Sequence, residues 1–150
     1  MQDSNPDVLV VGAGSAGAAA ATLLARQGRR VCLVDWRQSD QAGARWSNGI
    51  PGWMFDEAGF DRPEPPEHQR PGGTHGAVMC NADGDVTIPV PVDPMLHTNM
   101  RLLIARLQGL AQEAGAELRQ ERLVAIERQG PRIRRVTLAS GRTQREISPR

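Results

Sequence analysis

The stretch Gly12 to Gly17, GAGSAG, constrains the fold most because of what flanks it. Residues 8–11 before it, VLVV, form a short apolar run that is typical of a parallel strand buried on both faces. Residues 15–27 after it are rich in alanine and leucine and are compatible with a helix. A second apolar run covers residues 31–34. This order predicts one βαβ unit over residues 7–35.

The three glycines of this loop stand in the spacing GxGxxG, which predicts a dinucleotide-binding turn when it joins a strand to a helix. Gly12 permits the tight turn, Gly14 lets the backbone approach a pyrophosphate, and Gly17 lets the helix lie close to the sheet. The first N–H groups of the helix would then face the phosphates at the positive end of the helix dipole. The candidate ligands are therefore the whole loop: Gly12, Ala13, Gly14, Ser15, Ala16 and Gly17.

Asp35 ends the second apolar run, 18 residues past Gly17. A carboxylate at this position can accept hydrogen bonds from both hydroxyls of an adenosine ribose, and it would repel a 2′-phosphate. The pattern therefore disfavours NADP at this site. The alternative interpretation is a glycine-rich turn followed by an incidental acid.

The composition narrows the classes of partner and compartment. The net charge is +1 and the basic residues are dispersed, which predicts neither nucleic acid nor an anionic membrane as partner. All 18 basic residues are arginine, so no lysine can act as a nucleophile or form a Schiff base. Cys32 and Cys80 have neither metal-site spacing nor a disulfide framework, which favours the cytoplasm. Residues 8–25 carry no charge, but their glycines favour a strand, turn and helix of a soluble domain over a membrane span.

Residues 36–92 form a Pro/Gly-rich excursion. Eight of the eleven prolines lie between Trp36 and Pro94, so no long helix is expected there. Residues 77–80 and 86–88 predict a hairpin with its turn at Asp83-Gly84. Residues 63–73 are expected to be an exposed loop.

After the excursion the pattern changes again. Asp93 and Pro94 predict a helix start, and an apolar stripe predicts a helix over residues 94–114. Short strands are expected at residues 116–119, 123–127, 133–138 and 143–147, which we interpret as a meander over 116–147. The whole chain, 1–150, is therefore predicted to be one α/β domain with a parallel sheet and a β-meander.

The order of these elements resembles the FAD-binding fold of the glutathione-reductase-like flavoproteins, and this resemblance favours FAD over NAD. An NAD-binding half would continue with a compact helix and another parallel strand, whereas here an excursion, one helix and closely spaced strands follow. DVLVVGAGSAGAAAATLLARQGRRVCLVD resembles the N-terminus of FAD-dependent oxidoreductases of the flavin monooxygenase, geranylgeranyl reductase and halogenase-like group. MRLLIARLQGLAQEAGAELRQERLVAIE also resembles these enzymes.

The resemblance implies a Rossmann-like FAD/NAD(P)-binding fold, FAD as cofactor, NAD(P)H as a possible co-substrate and a small-molecule substrate. It implies that Arg101 lies beside the ribityl or pyrophosphate part of FAD and that the backbone of Leu123 meets the adenine. The alternatives are a solvated arginine opposite the apolar stripe and an ordinary core leucine. Arg45 is a candidate for the phosphates or the ribityl chain, with a surface arginine as the alternative.

All five aromatic residues fall within 25 positions. Trp36 is a candidate for the adenine side, and residues 45–53 are candidates for a border of the isoalloxazine or of a domain interface. Alternatively, the aromatics pack a loop that lacks regular structure. His68, His75 and His97 lack ligand-like spacing and are expected to be solvated; no catalytic residue and no metal site is predicted.

The resemblance also breaks in places. Enzymes of this group continue with an Ala-Thr-Gly-like motif and a Gly-Asp segment that binds the ribityl chain, and neither is present. We therefore expect a fragment that is inactive alone, which would self-associate or need a missing C-terminal half. Halogenases of the group also use a lysine that is absent here. Two alternatives stay open: an NAD-dependent dehydrogenase domain, and a non-catalytic nucleotide-binding remnant.

Overall fold

A computed structural model describes residues 5–69, 77–90 and 95–148. The chain divides into two compact units, one made of the residues up to Arg45 and from Arg101 onward, the other of Trp46–Met100. The first unit contains a 3₁₀ turn at Ser39–Gln41. In chain order the remaining elements are β1 (Val8–Val11), α1 (Ser15–Arg26), β2 (Val31–Asp35), β3 (Ser47–Pro51), α2 (Gly52–Ala58), β4 (His68–Gln69), β5 (Ala77–Cys80), β6 (Thr87–Val90), β7 (Met95–Asn99), α3 (Met100–Glu113), β8 (Glu117–Gln120), β9 (Arg122–Gln129), β10 (Arg132–Ser140) and β11 (Thr143–Ile147).

The first unit is built on a parallel sheet of strand order β1-β2-β8. The predicted βαβ unit is confirmed, with β1 in register beside β2. All five residues of the central strand β2 are buried. By contrast, β1 is only half-buried, and Val11 is 50% exposed. The prediction that β1 is buried on both faces is wrong, because in the described ranges β1 pairs with β2 alone and so lies at an edge.

Helices α1 and α3 cover one face of this sheet, as the right-handed crossovers of a β-α-β-α-β order require. The hydroxyl of Thr22, which is fully buried in α1, donates to the carbonyl oxygens of Ala18 at 2.8 Å and Leu107 at 3.3 Å. The helices therefore touch closely enough for a hydrogen bond between them. The buried residues of α3 are Met100, Leu103, Ile104, Leu107, Gln108 and Ala111.

The helix predicted over 94–114 begins later than expected. Met95–Asn99 form strand β7, and α3 starts at Met100. Strand β7 pairs antiparallel with β3 along all five of its residues, so tertiary pairing overrides the helical periodicity that included Leu96. The predicted cap at Asp93-Pro94 lies outside the described residues.

The meander covers the other face of the parallel sheet. Strands β9, β10 and β11 are antiparallel neighbours in the order β11-β10-β9. Their inward side chains pack on β2 in a core cluster of Cys32, Val34, Val136, Leu138 and Ile147. The predicted meander of 116–147 is corrected at its start, because β8 pairs in parallel with β2 and belongs to the other sheet.

An ion pair fastens the meander to the parallel sheet. The guanidinium of Arg145 in β11 donates to both carboxylate oxygens of Glu121, at 2.7 and 2.6 Å. Glu121 follows β8 directly, and its N–H donates to the carbonyl oxygen of Asp35. Arg145 also contacts the sulfur of Cys32 at 3.6 Å. Glu121 strongly raises the pKa of Arg145, so this cation is present at every accessible pH.

The second unit contains two small antiparallel sheets, β3-β7-β4 and β5-β6. The predicted hairpin is confirmed, with Ala77–Cys80 pairing with Thr87–Val90 and Gly84 at φ +78° in the turn. The expectation of an exposed loop over 63–73 is confirmed for residues 64–66 and wrong for Pro63, Glu67 and His68, which are buried; residues 70–73 lie outside the described residues. His68 pairs with β7 as part of β4, which also corrects its predicted solvation. His97 is exposed as expected, and His75 lies outside the described residues.

Among the helices that the structure describes, none combines the length and the apolar character needed to cross a membrane.

Candidate nucleotide-binding site

The glycine loop adopts the geometry that its spacing predicts. Gly12 has φ +104°, a backbone conformation that other residues rarely adopt, and its N–H donates to the carbonyl oxygen of Val34 at 2.7 Å. Gly14 then serves as the N-cap of α1 and, having no side chain, offers no side-chain cap. The first turn of α1 contains no acidic residue. Its leading N–H groups therefore meet neither a side-chain acceptor from Gly14 nor a carboxylate of their own turn.

Gly17 makes the close contact on which this turn depends. A Cβ atom built on Gly17 would lie 1.8 Å from the carbonyl oxygen of Gly12 and 3.5 Å from a side-chain carbon of Val10. Ala21, one turn later, is fully buried. The absence of a side chain at position 17 thus brings α1 against both the turn and β1.

A further glycine lies against the loop from outside the motif. Gly43, at φ +73°, follows the 3₁₀ turn, and a Cβ atom on it would lie 2.9 Å from the Cα of Gly14. The same Cβ would lie 2.7 Å from the end of the Ile104 side chain in α3. The segment after β2 is therefore packed on the glycine loop, a contact that sequence reasoning did not predict.

Asp35 is brought to the loop as predicted, and its carboxylate is already hydrogen-bonded. One oxygen accepts from the N–H of Ala13 at 2.9 Å, and the other accepts from the N–H of Arg37 at 2.9 Å. The residue is only 9% exposed. Since each carboxylate oxygen has two lone pairs, each retains one acceptor position for a further donor.

Asp35 holds the peptide group between Gly12 and Ala13, and Gln108 of α3 holds the next one, between Ala13 and Gly14. The amide nitrogen of Gln108 donates to the carbonyl oxygen of Ala13 at 2.7 Å and to that of Ser39 at 3.1 Å. The residue is 5% exposed. Ala13, itself fully buried, is thus held through its N–H by Asp35 and through its carbonyl by Gln108.

Two open cavities flank the end of β2. A crevice of about 650 Å³ is lined by Asp35 and Gln108, by polar side chains of the 3₁₀ turn and by Arg119 of β8. A cleft of about 710 Å³ is lined by Trp36, by residues 120–124 and by residues 139–141 of the meander. The cleft brings together two of the predicted site residues, Trp36 and Leu123.

Trp36 is available as a stacking surface. The residue is 62% exposed, and the guanidinium carbon of Arg37 lies 4.6 Å from the ring centroid. Leu123 is half-buried and packs against the core cluster, and it also borders the cleft. The interpretation of Leu123 as core is confirmed, and its contact with adenine stays a prediction.

The two candidate arginines lie further from the loop in sequence and are both exposed. Arg45 precedes β3, and Arg101 lies in the first turn of α3. Their contacts with phosphates or a ribityl chain stay predictions. Of the aromatics, Phe55 and Phe60 are buried, whereas Trp46 and Trp53 are exposed. The interpretation that all five aromatics pack an irregular loop is therefore wrong in two respects. The tryptophans are exposed, and part of the segment that carries the aromatics forms β3 and α2 instead of a loop.

Gln108 could have been found from the sequence. It lies four residues after Ile104 and eight after Met100, so it falls on the buried face of α3. A polar residue on that face needs a hydrogen-bond partner, since burial of an unpaired amide is costly. Gly43 carried no comparable signal.

The sequence matches the family described as FAD dependent oxidoreductase over residues 7–149. No protein of curated function matches it significantly.

Solved structures with the same fold have low sequence identity. A geranylgeranyl bacteriochlorophyll reductase-like protein from Thermoplasma acidophilum has a TM-score of 0.73 at 16% identity, over 96% of this chain and 37% of that one. The flavin-dependent brominase Bmp2 gives 0.69 at 14% identity, over 97% and 36%. A variant of the halogenase PltM in complex with FAD gives 0.62 at 21% identity, over 97% and 33%. The chain thus spans about a third of the length of these structures.

Proposed function

Because the chain belongs to the FAD dependent oxidoreductase family, we propose that its first unit binds the adenosine diphosphate half of FAD. The pyrophosphate lies on the glycine loop, the adenosine ribose on Asp35, and the adenine between Trp36 and Leu123. One observation carries this proposal: the carboxylate of Asp35 lies 2.9 Å from the N–H of Ala13, inside the glycine loop. The family match favours FAD over the NAD-dependent alternative.

The donors and acceptors of this site fit such a ligand. The leading N–H groups of α1 suit an anion, because they lie at the positive end of the helix dipole. The two free acceptor positions of Asp35 suit the two hydroxyls of a ribose. A Cβ atom on Gly14 would lie 3.4 Å from the Cα of Gly43, and one on Gly17 would lie 1.8 Å from the carbonyl oxygen of Gly12, so the two glycines let the neighbouring backbone close on the loop.

The cleft beside Asp35 fits an adenine. The exposed ring of Trp36 offers a face for stacking, and the polar residues Gln120, Glu121 and Arg122 line the same cleft. Asp35 and Trp36 are adjacent in the chain, so the ribose and the base of one adenosine can reach both. This placement supports Trp36 and Leu123 as adenine contacts.

Bound FAD would supply hydride acceptance from a reduced nicotinamide and electron transfer to oxygen or an organic substrate. The activity that we propose for a protein carrying this unit is therefore oxidoreduction with NAD(P)H as co-substrate. The residues of this unit bind and orient the cofactor, and none is assigned a catalytic role.

Competition between parts of the cofactor tests this proposal directly. FAD is titrated into the purified chain in a calorimeter, alone and in the presence of excess ADP or FMN. We expect ADP to displace FAD and FMN to leave it bound, because the site holds the adenosine half. Displacement by FMN, or tighter binding of NAD than of FAD, would overturn the assignment.

Replacement of Asp35 with asparagine should weaken FAD binding by about 1.5–3 kcal/mol, which is roughly 10- to 100-fold in Kd. The amide oxygen of asparagine keeps the hydrogen bond to Ala13, whereas its NH₂ group removes acceptors needed by the ribose and gives up the hydrogen bond from the N–H of Arg37. Alanine would also leave the N–H of Ala13 without its partner, so asparagine is the milder replacement. Calorimetric titration with FAD measures the change.

Asp40→Asn provides the matched control for charge. Asp40 is exposed in the 3₁₀ turn five residues later, and its replacement removes the same negative charge. We expect the Kd for FAD to change less than twofold in this variant. Equal losses in both variants would mean that only the local charge matters and that Asp35 does not contact the ribose.

A further inference from the structure

Resting on the proposed function, we propose that Gln108 is a positioning residue for the cofactor loop: its amide holds the carbonyl of Ala13 against the segment after β2 so that the leading N–H groups of α1 face the pyrophosphate. The two carbonyl oxygens that it binds belong to Ala13 and Ser39, at 2.7 and 3.1 Å. Because both are acceptors, the side chain must present its NH₂ group to them.

The placement of this amide distinguishes it from an ordinary buried polar side chain. Ala13 is the residue between the first two glycines of the loop, and Asp35 fixes its N–H from the opposite side. The two side chains thus fix the consecutive peptide groups on either side of the Ala13 Cα, and loss of the second anchor would let the peptide group between Ala13 and Gly14 rotate. Gln108 therefore controls the orientation of the backbone on which the pyrophosphate would rest.

The contact with Ser39 extends the same control to the segment that packs on the loop. Ser39 begins the 3₁₀ turn, and Gly43 at the end of this segment lies against Gly14 and Ile104. Ile104 and Gln108 are one helical turn apart on the buried face of α3. Helix α3 thus clamps the glycine loop and the segment 39–43 together through one apolar contact and one amide.

Gln108→Glu tests the donor role with almost no change in shape. At pH 8 the carboxylate can donate nothing and faces two carbonyl oxygens, so we expect the Kd for FAD to rise at least tenfold. Burial and the two carbonyls favour the protonated acid, which regains one O–H donor. At pH 5.5 we therefore expect most of the lost affinity to return relative to the parent protein at the same pH. The crevice is also lined by four charged residues: Asp35, Arg37, Asp40 and Arg119. They are present in both proteins, so their titration changes both Kd values alike and leaves the ratio of the two unchanged.

Thr22→Val is the matched control for a buried interhelical hydrogen bond. Thr22 joins α1 to α3 through Leu107, next to Gln108 in sequence, and its hydroxyl donates to Ala18 and Leu107, outside the glycine loop. We expect this variant to lose stability and to retain its Kd for FAD within twofold at both pH values. If both variants lose stability and neither changes Kd at either pH, Gln108 is only a structural residue and the inference is wrong.

A second readout does not depend on FAD. In the cofactor-free chain, amide hydrogen exchange of residues 12–14 should accelerate at least tenfold in Gln108→Met, which keeps the length of the side chain without a donor. The same amides should keep their parental exchange rates in Thr22→Val. Unchanged exchange in Gln108→Met overturns the inference even if Gln108→Glu does not fold. If exchange accelerates in Gln108→Met but the unsubstituted chain binds no FAD, the positioning role stands and only the proposed function is rejected.

Discussion

Replacement of Gly17 with alanine should abolish FAD binding and destabilise the chain by about 3 kcal/mol. The added Cβ would lie 1.8 Å from the carbonyl oxygen of Gly12, a backbone atom that cannot rotate away. Helix α1 must therefore move off the turn, and its leading N–H groups move with it. Gly12 and Gly17 are the first and last residues of the glycine loop, so the same clash is expected to lower both the stability of the chain and its affinity for FAD.

Urea unfolding followed by circular dichroism and titration with FAD measure the two effects. Gly109→Ala is the control, because Gly109 is a helical glycine with no atom within 4 Å of an added Cβ. This variant should gain about 0.5–1 kcal/mol, since alanine favours the helix and restricts the unfolded chain. Parental stability and affinity in Gly17→Ala would show that α1 does not pack on the turn as described.

Replacement of Arg145 with methionine should destabilise the chain by about 3 kcal/mol. Arg145 and Glu121 have side chains that are only 23% and 10% exposed, so removal of the cation leaves a largely buried carboxylate without its counter-charge. The loss of one partner of a buried pair costs more than the pair itself contributes. The ion pair joins β11 to the residue that follows β8, and we expect the meander to detach first.

A double variant separates the two contributions. Arg145→Met combined with Glu121→Leu removes the stranded charge and should recover most of the lost stability. Chemical denaturation of the parent, both single variants and the double variant gives the coupling energy. An Arg145→Met variant as stable as the parent would show that the pair is hydrated and does not fasten the meander.

The parts of this fold that depend on local sequence were predictable. Strand β1, the glycine loop, α1 and β2 follow each other within 30 residues, and the turn chemistry of Gly12 and Gly17 is set by their immediate neighbours. Asp35 was also predictable, because its distance from the loop is fixed by one strand-helix-strand unit. The residues of the candidate site with the clearest geometry are therefore those of the βαβ unit.

The parts that depend on distant partners were not predictable. The hydrogen bonds of Gln108 reach across 95 and 69 residues. The sequence of β7 predicted the start of a helix, because the strand that β7 pairs with, β3, lies more than forty positions earlier in the chain and leaves no local signal. Likewise, periodicity could not show that β8 pairs with β2 rather than joining the meander, since a four-residue strand has no pattern that identifies its neighbour.

The position of the Cys32 thiol between β2 and the meander allows thiol labelling to report local opening of the meander. This thiol is buried under the meander, and burial raises its pKa, whereas Cys80 is exposed in the hairpin. A thiol reagent should therefore modify Cys80 at once and Cys32 only when the meander lifts from β2. The slow phase of labelling measures how often that happens. If Arg145 fastens the meander, Arg145→Met should accelerate the slow phase by about two orders of magnitude and leave the fast phase unchanged.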